Sequence, residues 1–354
     1  MPAKRMKATK KMNILLKIFI IVIVVLLVIA LGIGTAGYVY INQMLGKLNQ
    51  EEIDTTQIGI DEQVSKRLKG YRNIAILGID SRADDYGLGN RSDCIIVASL
   101  NQNTNEINLI SVYRDTYMYV AQNKTRRLDK ITHAYAYGGA QNTLKSLNEA
   151  LDLNISEYIT VNFDAVMSAV DALDGIYIDI QADEIKHINK YIDDMNLEMN
   201  KHGTHVTKTG NQKLTGIQAL AYSRVRYTEG GDYKRTERIR TVITAMLNKA
   251  KTLNIIRLNN FADTILPVIK TNISSSDIWG LMPSLASLKV KDNLGWPYET
   301  RGATINGVWY GVPETLESNV VKLHKEAYGQ ENYEPSDTVK EMNEEIIRKS
   351  EYKK

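Results

Sequence analysis

Short apolar runs rich in β-branched residues alternate along this chain with apolar stripes at helical spacing. The runs are Ile74–Ile79, Ile95–Leu100, Ile107–Tyr113, Tyr158–Phe163 and Ile176–Ile180, and their length and composition predict strands. Leu144, Leu147 and Leu151 recur at i, i+3 and i+7. Val166, Ala169, Val170 and Leu173 repeat that spacing and stop at Gly175. Leu214, Ile217, Leu220 and Ala221 form a third stripe, and Ile239, Val242, Ile243, Met246 and Leu247 the longest. Strands interleaved with helices predict an α/β fold, an α/β/α sandwich around a mixed central sheet. Thr304–Val312 reads as a late strand, residues 182–213 as a polar insertion, and residues 329–354 as a polar, fraying tail.

The N-terminal pattern is different. Ile18 to Tyr38 carries no charge, and the next charge is Lys47. A helix needs about 20 such residues to cross a bilayer, longer than the apolar core of about 7–15 residues in a cleaved signal peptide. The expected order is a basic leader (1–17), one transmembrane helix (18–41), a stalk (42–70) and an extracytoplasmic domain (71–328). Lys4, Arg5, Lys7, Lys10, Lys11 and Lys17 precede the span, which keeps the N-terminus cytoplasmic.

Charge then changes the picture of partners. The chain has 44 Lys+Arg against 41 Asp+Glu, a net +3. Setting aside the six leader cations leaves 38 against 41, so the outer part lacks the basic surface a nucleic-acid binder needs. A leader of 17 residues is also too short for a folded DNA-binding domain. The single cysteine, Cys94, excludes a disulfide framework and multi-cysteine metal sites. No GxSxG, P-loop, HExxH or GxGxxG motif occurs.

Polar stretches fall where strands end or helices start, the usual place for ligands in open α/β sheets. They are Gly78–Arg82, Asn90–Asp93, Tyr113–Tyr117 and Ser223–Arg240. Asp232 follows Gly230-Gly231 and reads as a helix N-cap. Arg235 and Arg238 lie four residues before Ile239 and Val242, on the inward stripe of that helix. Inward guanidinium groups need anions, either protein carboxylates such as Asp232, Asp93 or Asp115, or the phosphates of a substrate. Arg224 and Arg226 alternate, so an extended segment puts both on one side. Asp80 and Asp93 are joined by a twelve-residue loop that can bring two carboxylates together, as Mg²⁺ on a phosphate requires; turn and cap duty is the other reading.

Six stretches in order resemble the LytR–CpsA–Psr family of Gram-positive cell-wall ligases: NIAILGIDSR, NRSDCIIVASLN, LISVYRDTYMYV, DKITHAYAYGGA, VNFDAVMSAVDALDG and LTGIQALAYSRVRYTEGGDYKRTER. The resemblance implies transfer of an anionic glycopolymer, of teichoic acid or capsular polysaccharide type, from a polyprenyl pyrophosphate carrier to peptidoglycan, with a muramic acid C6 hydroxyl as acceptor. It implies a hydrophobic pocket for the lipid, with helices at 164–174 and 239–250 as candidate walls. Asp80 and Asp93 are then ligands of Mg²⁺ or Mn²⁺. Arg91, Arg114, Lys130, Arg224, Arg226 and Arg235 are pyrophosphate-binding, Arg82 and Arg238 support them, and Asp232 organises the arginines. Asp93 and Asp115 are the candidate bases, and Arg114 the central catalytic cation. Three positions depart from the family pattern: Ile239 for glutamine, Lys234 for glycine and Cys94 for threonine. The other reading is a non-enzymatic, membrane-anchored binder of wall polymer or carrier lipid.

Overall fold

A computed structural model describes residues 46, 49–81, 86–122, 125–274, 277 and 287–350. The leader, the apolar 18–41 segment and Arg82 lie outside the described residues. Among those described, no helix is long and apolar enough to cross a membrane.

Seven strands form a mixed sheet in the order β1 (Asn49–Gln50), β10 (Lys270–Thr271), β7 (Glu157–Val161), β2 (Tyr71–Ile79), β3 (Ser92–Asn101), β4 (Glu106–Val112) and β11 (Lys289–Trp296). β2, β3 and β4 run antiparallel, while β7 lies parallel to β2 and β11 parallel to β4. Strand side chains alternate between faces, so each central strand feeds two cores. Ile74, Ile76, Ile96, Ala98, Leu100, Ile107 and Leu109 are buried on one face; Ala75, Leu77, Ile79, Ile95, Val97, Ile110 and Val112 on the other.

The first face is covered by α3 (Phe163–Ala172), α4 (Ala182–Glu198), α5 (Gly216–Arg224), α6 (Gly231–Ala250) and α7 (Ile255–Ile265). The second is covered by α1 (Glu62–Arg67), α2 (His133–Leu151), α8 (Leu316–Tyr328) and α9 (Asp337–Ser350). Three two-stranded ribbons flank the sheet: β5 (Tyr117–Gln122) with β6 (Thr125–Lys130), β8 (Ile176–Ile180) with β9 (Gly210–Leu214), and β12 (Thr300–Ile305) with β13 (Val308–Pro313).

Three expectations are corrected by packing. The described part of the stalk is domain: β1 extends the sheet edge, and Ile58, Val64 and Leu68 are buried. The tail is not loose, because α9 buries Val339, Met342 and Ile346 against the second core. Within 182–213, α4 is a core helix that buries Ile188, Ile192 and Met195. The late strand proves to be a hairpin apart from the main sheet, turned by Asn306-Gly307 at positive φ.

Candidate functional site

A cavity of about 380 Å³ opens between the first face of the sheet and α3, α5, α6 and α7. Its walls are apolar: Val166 and Ala169 from α3, Ile239, Val242, Ile243 and Met246 from α6, and Phe261 and Ile265 from α7. Both helices expected to wall a lipid pocket therefore do line a greasy cavity. Ile239, one of the departures from the family pattern, is part of that wall. At the mouth the lining becomes charged, with Asp80, Asp93, Arg114, Arg224, Arg226 and Arg235.

Local sequence explains how the mouth is assembled. Gly78 faces Cys94 across β2 and β3, and a Cβ at Gly78 would lie 2.8 Å from the Cys94 Cβ. The missing side chain lets β3 approach and carries Asp93 to the cavity. Burial pushes the Cys94 thiol up to about 11, leaving it an inert wall residue. Gly230 and Gly231 both take positive φ, which turns the chain sharply from the Arg224–Arg226 segment into α6. Gly230 is the N-cap, so Asp232 lies inside the first turn rather than capping it.

Arg114 is the hub. Its Nη1 donates to Asp93 Oδ2 at 2.8 Å, and its Nε lies 3.4 Å from Asp115 Oδ2 and 3.7 Å from Asp232 Oδ2. Burial works against this charge, but Asp93, Asp232 and Asp115 outweigh it and hold the guanidinium firmly protonated. The Nε is buried between the Asp115 and Asp232 carboxylates and makes no hydrogen bond of good geometry to either. Arg235 Nη1 pairs with Asp232 at 3.2 Å, and its Nη2 donates to the Asp93 carbonyl at 3.3 Å. Lys130 Nζ holds Asp115 at 2.7 Å.

Arg224 and Arg226 have no carboxylate partner among the described residues. The Arg224 guanidinium lies 4.8 Å from the Phe163 ring centre and 5.1 Å from that of Tyr191. Arg226 donates to the Tyr227 hydroxyl at 3.0 Å, a contact that raises its pKa. Arg224 closes α5 and the chain then extends at Val225, so both side chains reach the same cavity. Two unneutralised guanidinium groups at the rim of an apolar cavity suit a ligand with an anionic head and a hydrophobic tail.

Two expected positions fall outside this constellation. Arg91 is exposed and does not line the cavity. Arg238 points away: its Nε pairs with Glu184 at 2.7 Å, and its Nη1 and Nη2 donate to Val225 O at 3.0 Å and Thr228 Oγ1 at 2.7 Å. Both α6 arginines do lie on the inward stripe, but a buried acid on α4 claims the second. Arg238 thus braces the segment that carries Arg226.

The family model for LytR_cpsA_psr matches residues 36–326. The chain belongs to the LytR–CpsA–Psr family. It is 30% identical over 328 residues to the polyisoprenyl-teichoic acid–peptidoglycan teichoic acid transferase TagU of Bacillus subtilis strain 168, covering 90% of this chain and 97% of that protein. The crystal structure of B. subtilis TagV matches with a TM-score of 0.58 at 25% identity, over 75% of this chain and 99% of TagV. TagT with a bound octaprenyl pyrophosphate lipid matches in fold, with a TM-score of 0.53 at 23% identity, over 85% of this chain and 94% of TagT.

In this LytR–CpsA–Psr protein Asp129, which the motifs do not single out, sets the base of Lys130. Its carboxylate accepts from the Lys130 amide and the Tyr137 hydroxyl, each at 2.8 Å, and lies 3.0 Å from His133 Nδ1. Burial opposes the charge, but His133, Tyr137 and the amide outweigh it and bring Asp129 to about 2. An acid held below its ordinary 3.8 stabilises the fold in full above that value and loses the contribution as pH falls through about 2. Asp129→Asn should therefore cost on the order of 2 kcal/mol at neutral pH and flatten the loss of stability between about pH 4 and pH 2. Urea midpoints measured across that window check it.

Proposed function

We propose that the chain is a membrane-anchored phosphotransferase that moves an anionic glycopolymer from a polyprenyl pyrophosphate carrier to peptidoglycan in a Gram-positive envelope. The observation that carries this reading is the apolar cavity whose mouth is ringed by Arg114, Arg224, Arg226 and Arg235. The proteins it resembles supply the chemistry: TagU is named for teichoic acid transfer, and TagT holds a prenyl pyrophosphate. The apolar 18–41 segment supplies the anchor.

The two guanidinium groups without carboxylate partners would hold the non-bridging oxygens, with Arg114 adding its charge at the mouth. Phosphoryl transfer depends mainly on such positioning and charge neutralisation. The acceptor hydroxyl attacks the sugar-linked phosphorus, the bond to the lipid phosphate breaks, and polyprenyl phosphate departs with its chain in the cavity. The hydroxyl proton passes to a carboxylate. Asp115 serves this role best, because Lys130 and Arg114 fix it beside the mouth while Asp93 is committed elsewhere.

Asp80 and Asp93 fit a divalent cation. Both line the same mouth, and Asp80 is exposed there with no ion pair among the described residues. No group of three or more His, Cys, Asp or Glu is placed to hold a metal ion by itself among the described residues. Two carboxylates completed by phosphate oxygens and water match Mg²⁺, which is rarely caged by protein alone. When bound, the ion would neutralise the pyrophosphate.

The test uses the full chain in detergent with labelled polymer on its lipid carrier, peptidoglycan and Mg²⁺. Label should move to peptidoglycan, and chelator should stop it. Label remaining wholly on the lipid would overturn the enzyme reading in favour of a binder. Full transfer in chelator would remove the metal from it. The cavity gives a separate prediction. Ala169→Trp should fill the cavity and reduce turnover of long-chain carriers at least about tenfold, since each buried CH₂ is worth about 0.8 kcal/mol. Short-chain carriers should lose far less, and comparison across chain lengths checks it.

A further inference from the structure

We propose that the outer face of the β12–β13 hairpin is a saccharide platform that seats the acceptor glycan beside Asp115. The proposal rests on the transferase reading and adds to it the place where the second substrate lies. In the hairpin, Gly302 pairs with Gly311 and Thr304 with Trp309, so these residues share one face. The opposite face carries Ala303, Ile305, Tyr310 and Val312, which pack against the second core. The outer face presents Trp309, a residue 51% exposed.

Trp309 does not project into solvent. Its indole lies across Gly302, where a Cβ would stand 2.8 Å from Nε1 and 3.2 Å from Cε2. The glycine makes room for the indole to lie down on the hairpin. The result is a broad apolar ring face with exposed polar backbone and Thr304 at its border. A pyranose has the complementary form, with an apolar C–H face and a rim of hydroxyl and amide groups. Aromatic faces combine large contact area with little conformational entropy to lose.

The platform is registered to the reacting centre through backbone and charge. Gly311 N–H donates to the Asp115 carbonyl at 3.0 Å, and Gly311 bridges Thr116. Lys130 Nζ lies 5.9 Å from the Trp309 ring centre and 5.6 Å from that of Tyr310, while it holds Asp115. Trp309 takes no part in the lipid cavity.

The side of the molecule decides which sugar sits there. The cavity opens on the first face of the sheet, whereas the hairpin packs with the second core. In-line displacement at phosphorus places the entering and leaving oxygens on opposite sides. The leaving lipid phosphate trails into the cavity, so the entering hydroxyl comes from the hairpin side, across Asp115. The donor's own sugar is a spectator on phosphorus and leaves the line of attack sideways.

The test uses the full chain in detergent, with lipid-linked polymer as donor and soluble, uncross-linked peptidoglycan glycan strands as acceptor. Trp309→Ala should raise the acceptor KM about tenfold and leave the donor KM within about twofold. Trp309→Phe should recover most of the loss, and Gly302→Val, which pushes the indole off its seat, should reproduce it. An unchanged acceptor KM overturns the platform, and a rise in donor KM instead assigns the surface to the donor sugar and overturns it equally. Titration calorimetry with glycan strands alone separates this proposal from the transferase reading. Wild-type binding that Trp309→Ala weakens about tenfold supports the platform even if no transfer occurs. Absent binding, or binding that survives the substitution, overturns it.

Discussion

Arg114→Ala should reduce turnover of the lipid-linked donor by about 10²–10³, the loss expected when one well-placed donor to a developing charge is removed, about 2.7–4 kcal/mol. The size follows from its position as much as from its charge. One guanidinium faces Asp93, Asp115 and Asp232 within 3.7 Å and keeps a buried Nε without a hydrogen bond. In the proposed mechanism, removing it takes away the cation that three carboxylates share and leaves them facing a pyrophosphate. Arg114→Lys should recover only part of the rate. An ammonium cannot reach Asp93 and also face Asp115 and Asp232 as one planar group does. Single-turnover rates at saturating donor check both variants, and a loss below about threefold for Arg114→Ala would remove it from the centre of the mechanism.

The strands and helices that carry this centre were legible because their side-chain periods differ. Ile74, Ile76 and Leu77 alternate between two buried faces, and Val166, Ala169 and Val170 keep to one. The motif ends were legible as well: Asp80, Asp93, Arg114, Arg224, Arg226 and Arg235 meet at one mouth although they are spread over more than 150 residues. What escaped the sequence depends on partners distant along the chain. Ile58 and Met342 sit in segments of high polarity, and only the second face of the sheet makes them core. Asp129 gains its role from His133, the first residue of α2, and Tyr137, one turn further along, which composition does not reveal. Trp309 reads in the sequence as one residue of a late strand, and its meaning comes from the glycine it lies across.

Arg235 and Arg238 show the same limit within a single helix, and they should separate cleanly when each is replaced. The periodicity of α6 turns both inward. Arg235 stops at the mouth with Asp232 and Asp93, while Arg238 is buried against Glu184, which also accepts from the Gln181 amide at 2.9 Å. Arg238→Ala leaves a buried carboxylate without its cation and frees the Val225 carbonyl and the Thr228 hydroxyl. Breaking one partner of such a pair costs about 3–5 kcal/mol, so the urea midpoint of the full chain should fall sharply. Replacing both partners, with Arg238→Met and Glu184→Leu together, should recover most of that stability, because the cost lies in the orphaned charge rather than in the lost attraction. The double variant should still transfer polymer more slowly than wild type, since the Val225–Thr228 segment no longer holds Arg226 in place. Arg235→Ala should do the reverse, with a smaller stability change because Arg114 still faces both Asp93 and Asp232, and a large loss of rate. Equal stability losses for the two single variants would show that Arg238 is not the brace its hydrogen bonds describe.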